Sequence, residues 1–248
     1  MGTHLRRFLE ADDFSRRSNL DIFNLQDTAV VSEYDLVVHL AAYLDKSPEN
    51  AEQCFLTNVE GTINILRAMK PGAVFVFAST KDVYGTYADN FDEVPERCLT
   101  DYCGQSPLEW SKLIAEKYVE YFGHLNKFRT CIFRLSTVYA PLDDENEPNF
   151  VGNYFEAIDR GETIRLPEKG APKRDFLHVD DFARACQAFV ESDVEHGLYN
   201  LGGGHKNTAT LRELVGMIEE ITGGTAIIDE TSKTPTPMPF NYVSDISK

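Results

Sequence analysis

Three things are scarce in this 248-residue chain. The five cysteines (Cys54, Cys98, Cys103, Cys131, Cys186) stand singly, odd in number and with no Cys-x-x-Cys pair, and the six histidines are dispersed. Metal sites and disulfide frameworks both need ligands at characteristic spacings. The pattern therefore predicts free thiols in a reducing compartment and no bound metal. Positive charge is also scarce: 24 lysines and arginines face 40 aspartates and glutamates, for a net charge of -16. A field of that sign opposes DNA, RNA and anionic lipid, so no nucleic-acid or membrane partner is expected. A small phosphorylated ligand needs only a local cation cluster. Finally, no apolar run approaches the roughly 18 residues of a membrane span, and the opening MGTHLRRFLEADDF has no apolar centre of the signal-peptide kind. A cytoplasmic location is expected.

What is present is an ordinary globular composition, 42% hydrophobic and 26% charged, enough for one large α/β domain or a domain with a smaller lobe. Segments 35–42 (DLVVHLAA), 73–80 (AVFVFAST) and 129–138 (RTCIFRLSTV) are nearly continuous apolar runs, as strands buried on both faces are. Between them, apolar residues recur at three and four over 54–69 and 110–122, which predicts helices. Strand and helix in alternation predict a parallel sheet with right-handed crossovers. From Pro141 the texture becomes loop-rich, with short helices expected over 151–160, 179–192 and 210–222 and short strands near 163–166 and 197–201. The stretch ETSKTPTPMPF is expected to wrap the surface.

Several local runs then fall in a recognisable order: DI at Asp21 and Ile22, HLAA at 39–42, NVEGT at 58–62, STKDVYG at 79–85, SKLIAE at 111–116, RLSTVYAP at 134–141, RDFLHVDD at 174–181, YNLGGG at 199–204 and SDISK at 244–248. In this order they resemble the extended short-chain dehydrogenase/reductase family of NAD-dependent nucleotide-sugar epimerases and dehydratases. The resemblance implies an α/β fold, a Rossmann-like doubly wound parallel sheet with a smaller C-terminal substrate-binding lobe: 1–140 for NAD, 141–248 for substrate. It implies NAD as cofactor, with NADP left open, lined by Gly2, Asp21, Ile22, Leu40, Ala41, Ala42, Asn58 and Lys112. It implies a nucleotide-sugar substrate met by Tyr84, Thr137 and Arg174, and a homodimer. Arginine suits a diphosphate because its fork matches two oxygens at once.

Catalysis in such proteins requires a proton acceptor when a sugar hydroxyl is oxidised. The resemblance places a tyrosine four residues before Lys112, on the same helix face, where this chain has Leu108. Thr80 matches the hydroxyl partner that orients the substrate. Lys81 and Asp82 occupy positions that hold an acid and a base in sugar 4,6-dehydratases, leaving Asp82 as a candidate base, and Tyr102 is the candidate to replace the missing tyrosine. The glycine-rich turn and first strand are missing, with Gly2 as the turn's last glycine, and the sequence reads as a fragment. Two expectations follow: an NAD-dependent epimerase or dehydratase, or a non-catalytic relative that binds nucleotide sugar without turnover.

Overall fold

In the computed structural model, which describes residues 1–141, 148–233 and 238–248, the strands in chain order are β1 (Leu36–His39), β2 (Val74–Thr80), β3 (Arg129–Leu135), β4 (Thr137–Tyr139), β5 (Thr163–Arg165), β6 (Lys173–His178), β7 (His196–Leu201), β8 (Thr208–Thr210) and β9 (Ile227–Asp229). β1, β2, β3 and β7 form one parallel sheet in that spatial order. β7 thus brings a strand from the second half of the chain into the sheet of the first.

The continuous apolar runs are explained by burial on both faces. Along β2, Val74, Val76 and Ala78 point into one core with Phe182 and Phe189 of the helix Val179–Glu191. Phe75 and Phe77 point the other way, against Leu66 of Gly61–Ala68 and Ala115 and Val119 of Pro107–Asn126. Each buried phenylalanine contributes about 1.5–3 kcal/mol, so helices on both faces are the arrangement that satisfies this strand.

The long helix Pro107–Asn126 has clear start and stop signals. Proline occupies its first turn, the carboxylate of Glu109 reaches back to accept from Ser106 N at 2.8 Å, and Lys127 closes it in the left-handed region at φ 56°. These are the usual N- and C-terminal devices of a helix.

Several elements differ from expectation. The run 35–42 contributes only Leu36–His39 to the ladder, because beyond His39 the chain leaves the sheet to line a cavity. The segment 54–69 is composite: Ala51–Phe55, then a π turn over Leu56–Glu60, then Gly61–Ala68. Apolar spacing alone does not show such a widened turn. The run 129–138 divides at Ser136, where the chain passes from β3 into a second sheet of order β4-β6-β8. β6, β8 and β9 were not anticipated; β6 pairs with both β4 and β8, and β9 pairs in parallel with β5.

The expected surface path of 230–240 lies partly outside the described residues. Just beyond it, Tyr242 is fully buried and bridges Arg174, while Ser244 bridges Val94. Tyr242 N donates to Lys173 O at 3.0 Å and Val94 N to Val243 O at 2.8 Å. The C-terminal segment is therefore tied to β6 and to the loop at Val94 by backbone hydrogen bonds.

Candidate cofactor and substrate site

The carboxyl ends of β1 and β2 set out the site. His39, the last residue of β1, is buried, and its Nε2 lies 3.0 Å from Thr62 Oγ1, which itself donates to Asn58 O at 2.7 Å. That hydroxyl has spent its proton, so His39 is the donor and carries its proton on Nε2. Burial, helped by the charge of Lys112, lowers its pKa to about 3.

Asn58, in the π turn, accepts from Tyr43 N at 2.7 Å and donates to Tyr43 O at 3.1 Å and Ser111 Oγ at 2.8 Å. It clamps the backbone just after Leu40, Ala41 and Ala42. Those three residues, with Gly2, Asp21 and Ile22, line a cavity of about 1140 Å³. Of the expected cofactor residues, six are brought together; Asn58 acts one step removed, by holding the loop. Gly61 completes the support, since a Cβ there would lie 2.3 Å from Ile22 Cδ1. Sequence reading missed Arg6 and Arg16 on the cavity wall. Each belongs to a consecutive pair, Arg6–Arg7 and Arg16–Arg17, and an arginine pair in a short helix carries no local signal that it faces a cavity.

At the end of β2 the buried Lys112 Nζ donates to Ala78 O at 2.7 Å and stands 4.7 Å over the Phe77 ring. Burial lowers its pKa to about 8, against the pull of Cys54 and Glu116. Leu108, one turn earlier, is buried at 8% exposure. Thr80 Oγ1 accepts from Asp82 N at 3.2 Å, which caps the following turn.

Two expected proton acceptors are poorly placed. Asp82 meets Lys81 Nζ at 2.5 Å and Lys46 Nζ at 3.0 Å. Burial opposes its ionisation, but the two ammoniums outweigh that and hold the carboxyl well below the usual range. A carboxylate so stabilised is a weak base. Tyr102 is 67% exposed, edge-on to Trp110 at 5.6 Å, and the structure does not bring it to the buried Lys112.

Tyr84, expected near substrate, is fully buried instead. Its hydroxyl donates to Asn200 Oδ1 at 2.7 Å, Arg134 lies 4.8 Å over its ring, and burial pushes its pKa to about 12. It packs the sheet to the C-terminal segment. Thr137 sits in β4 opposite Phe176. Arg174 is buried and donates to the carbonyls of Lys173 and Phe240, both at 2.7 Å, and of Pro239 at 3.2 Å. Lys169 and Lys173, near it in sequence, are both exposed. Among the described residues, no group of three histidines, cysteines, aspartates or glutamates is placed to hold a metal.

The family model described as the NAD dependent epimerase/dehydratase family matches residues 3–202. The chain belongs to this family. It is 28% identical over 200 residues to a UDP-N-acetyl-alpha-D-glucosaminuronate decarboxylase of Bacillus cytotoxicus, covering 78% of this chain and 61% of that one. It is 29% identical over 209 residues to a dTDP-glucose 4,6-dehydratase of Streptomyces griseus, covering 82% and 61%. Among solved structures, UDP-glucuronic acid 4-epimerase from Bacillus cereus, in complex with UDP-glucuronic acid and NAD, superposes with a TM-score of 0.78 at 25% identity, covering 92% of this chain and 71% of that one. MoeE5 in complex with UDP-glucose and NAD gives the same TM-score and identity, with 92% and 75% covered. The chain spans about three fifths of the length of these curated relatives.

Leu108 and Lys112, one turn apart on the helix Pro107–Asn126, are both buried. The charge chain Glu109–Lys46–Asp82–Lys81, with Lys46 Nζ 2.6 Å from Glu109 Oε1, is a second feature sequence reading did not assemble. Lys46 lies in a loop far from the other three in the chain, and nothing local marks it.

Proposed function

We propose that this chain binds NAD in the cavity and a nucleotide-activated sugar beside it, as an epimerase or dehydratase acting by transient oxidation of the sugar. The carrying observation is the convergence of Gly2, Asp21, Ile22, Leu40, Ala41 and Ala42 on one cavity, with Lys112 anchored at the adjoining strand end. The cavity's size and its small residues fit a dinucleotide, because alanine and glycine let a ligand approach the backbone closely. On this reading residues 1–140 hold the cofactor and 141–248 the substrate.

When bound, NAD supplies the hydride acceptor. The chain's own part is proton handling and positioning. Lys112, with its pKa near 8, is partly neutral at physiological pH. The neutral amine keeps an N–H for Ala78 O and has a lone pair to accept the proton of the sugar hydroxyl. Thr80 orients that hydroxyl, and Arg174 provides the guanidinium for the diphosphate. The relatives' ligands and substrates include both uncharged hexoses and uronic acids. A dimer would use the helix face of Tyr118, Tyr121 and Leu125, all exposed, and five free thiols suit a reducing cytoplasm.

A second reading, binding without turnover, draws on Leu108 and on the neutralised Asp82. Incubation with NAD and a panel of UDP- and dTDP-sugars, followed by NMR of the sugar, separates the two. A new epimer or keto sugar supports the enzyme. Unchanged sugar with measurable binding supports the second reading, and absence of sugar-nucleotide binding defeats both.

A further inference from the structure

The guanidinium of Arg174 is held on one side by backbone carbonyls. Nη1 donates to Lys173 O and Phe240 O, both at 2.7 Å, and Nη2 to Pro239 O at 3.2 Å. Of its five N–H groups, these bonds use three. Among the described residues no acceptor takes the Nε–H or the second N–H of Nη2. Nε and Nη2 are neighbours in the guanidinium plane, and such a pair of N–H groups meets two oxygens of a phosphate at once. The carbonyls therefore decide which part of the fork is left for a ligand.

Two of those carbonyls, from Pro239 and Phe240, belong to a stretch with no helix or strand of its own, so something else must fix it. Asp89 does so. Its Oδ1 accepts from Phe240 N at 2.8 Å and from Asn241 N at 3.3 Å. From the other side, Asn241 Oδ1 accepts from Lys173 N at 2.9 Å. The backbone at Phe240 and Asn241 is clamped between Asp89 and the residue that precedes Arg174. Asp89 in turn lies near the end of the helical segment Lys81–Asn90, which follows Thr80 directly. One short run of chain thus joins the strand end that carries Thr80 to the carbonyls that hold Arg174.

The charges agree with this arrangement. Burial lowers the pKa of Arg174, and Asp82, Asp89 and Asp175 oppose the lowering. Asp82 is engaged by Lys81 and Lys46, and Asp175 Oδ2 accepts from Gly204 N and Ser244 N. Asp89 is the exposed member of the three, and it is the one bonded to the stretch that carries the carbonyls. We propose that Asp89 is a positioning residue for diphosphate binding: it fixes the carbonyls of Pro239 and Phe240, and these hold the guanidinium of Arg174 with its Nε and Nη2 donors free for phosphate oxygens. Asp89 itself touches no substrate. Nothing local marks it in the sequence, because its partners lie 151 and 152 residues away. The assignment rests on the reading of Arg174 given above.

The test is calorimetric titration of the full chain, with NAD present, by UDP-glucose and by dTDP-glucose. Because Asp89 is exposed, Asp89→Ala is expected to melt as cooperatively as the unaltered chain while its affinity for the better-bound sugar nucleotide falls about tenfold. Asp89→Asn keeps an Oδ1 acceptor for both N–H groups and is expected to remain within about threefold of the unaltered chain. In Arg174→Gln the guanidinium is already gone, so adding Asp89→Ala is expected to weaken binding no further, whereas an aspartate with a merely structural role would add its loss in full. Unchanged affinity in Asp89→Ala, an Asp89→Asn as weak as Asp89→Ala, or additive losses in the double variant would each overturn the assignment of Asp89 alone. Undiminished binding in Arg174→Gln overturns the reading of Arg174 and this assignment with it. Binding of neither sugar nucleotide by the unaltered chain overturns the nucleotide-sugar reading as a whole.

Discussion

Lys112 Nζ stands 2.7 Å from the carbonyl oxygen of Ala78, which fastens the helix Pro107–Asn126 to the strand that ends at Thr80. The bond fixes the amine in a buried place where its charge is disfavoured. If that amine is the proton acceptor, turnover must rise as it loses its proton. The rate is therefore expected to climb through a pH near 8, the value to which burial lowers Lys112, and to level off above it. A pH profile of kcat that is flat from 6.5 to 9.5 would remove Lys112 from that role. Lys112→Met is expected to abolish turnover while the chain still folds.

Leu108 occupies the turn from which a phenol would reach the same place. Proton transfer by a positioned side chain is worth about 10²–10⁴-fold in rate. Leu108→Tyr is expected to raise turnover toward that range and to move the midpoint of the pH profile, since a phenol then titrates. The site is buried, so the new hydroxyl needs a partner. An unchanged rate in a folded Leu108→Tyr chain would mean the reacting atoms lie elsewhere.

Much of the fold was legible because β2 is apolar at every position from Val74 to Ala78, the signature of a strand covered on both faces. The cavity residues Asp21, Ile22 and 40–42 were legible through their order along the chain. The failures have physical causes. Tyr102 could not be placed, since whether a loop tyrosine turns inward depends on packing that no local pattern encodes; it rests on Trp110 instead. Asp82 read as a base because its two lysine partners include Lys46, 36 residues away. Tyr84 read as substrate-facing because burial beneath Tyr242 depends on a segment near the far end of the chain.

Arg134 and Glu116 form a bidentate buried pair, with Nε–Oε1 at 3.0 Å and Nη2–Oε2 at 2.6 Å, and Ser79 Oγ donates to Glu116 Oε1 at 2.5 Å. Removing one member leaves an unpaired buried charge, which costs about 3–5 kcal/mol, whereas replacing both costs much less. Arg134→Met and Glu116→Gln are each expected to lower the urea midpoint strongly, and the double variant to recover part of the loss. Additive losses in the double-mutant cycle would show that the two do not act as a pair.

His39 makes stability depend on acid. Its folded-state pKa of about 3 lies below its ordinary value of 6.5, so between those limits the unfolded chain binds a proton that the folded chain refuses. Stability from this group is complete above pH 6.5 and is lost as pH falls toward 3, at about 1.4 kcal/mol per unit. Urea melts at pH 7 and pH 5 should therefore differ by about 2 kcal/mol more in the unaltered chain than in His39→Gln, which retains a donor for Thr62. Equal differences in the two would mean His39 is protonated in the fold.

The central claim is that the cavity lined by the helix Gly2–Leu9 and by β1 receives NAD, and calorimetric titration of the folded chain with NAD tests it most directly. The account predicts saturable one-to-one binding in the micromolar range, about -8 kcal/mol, weakened when Gly61→Leu pushes Ile22 into the cavity. Absence of a binding isotherm at millimolar NAD, in a chain that melts cooperatively, would contradict it.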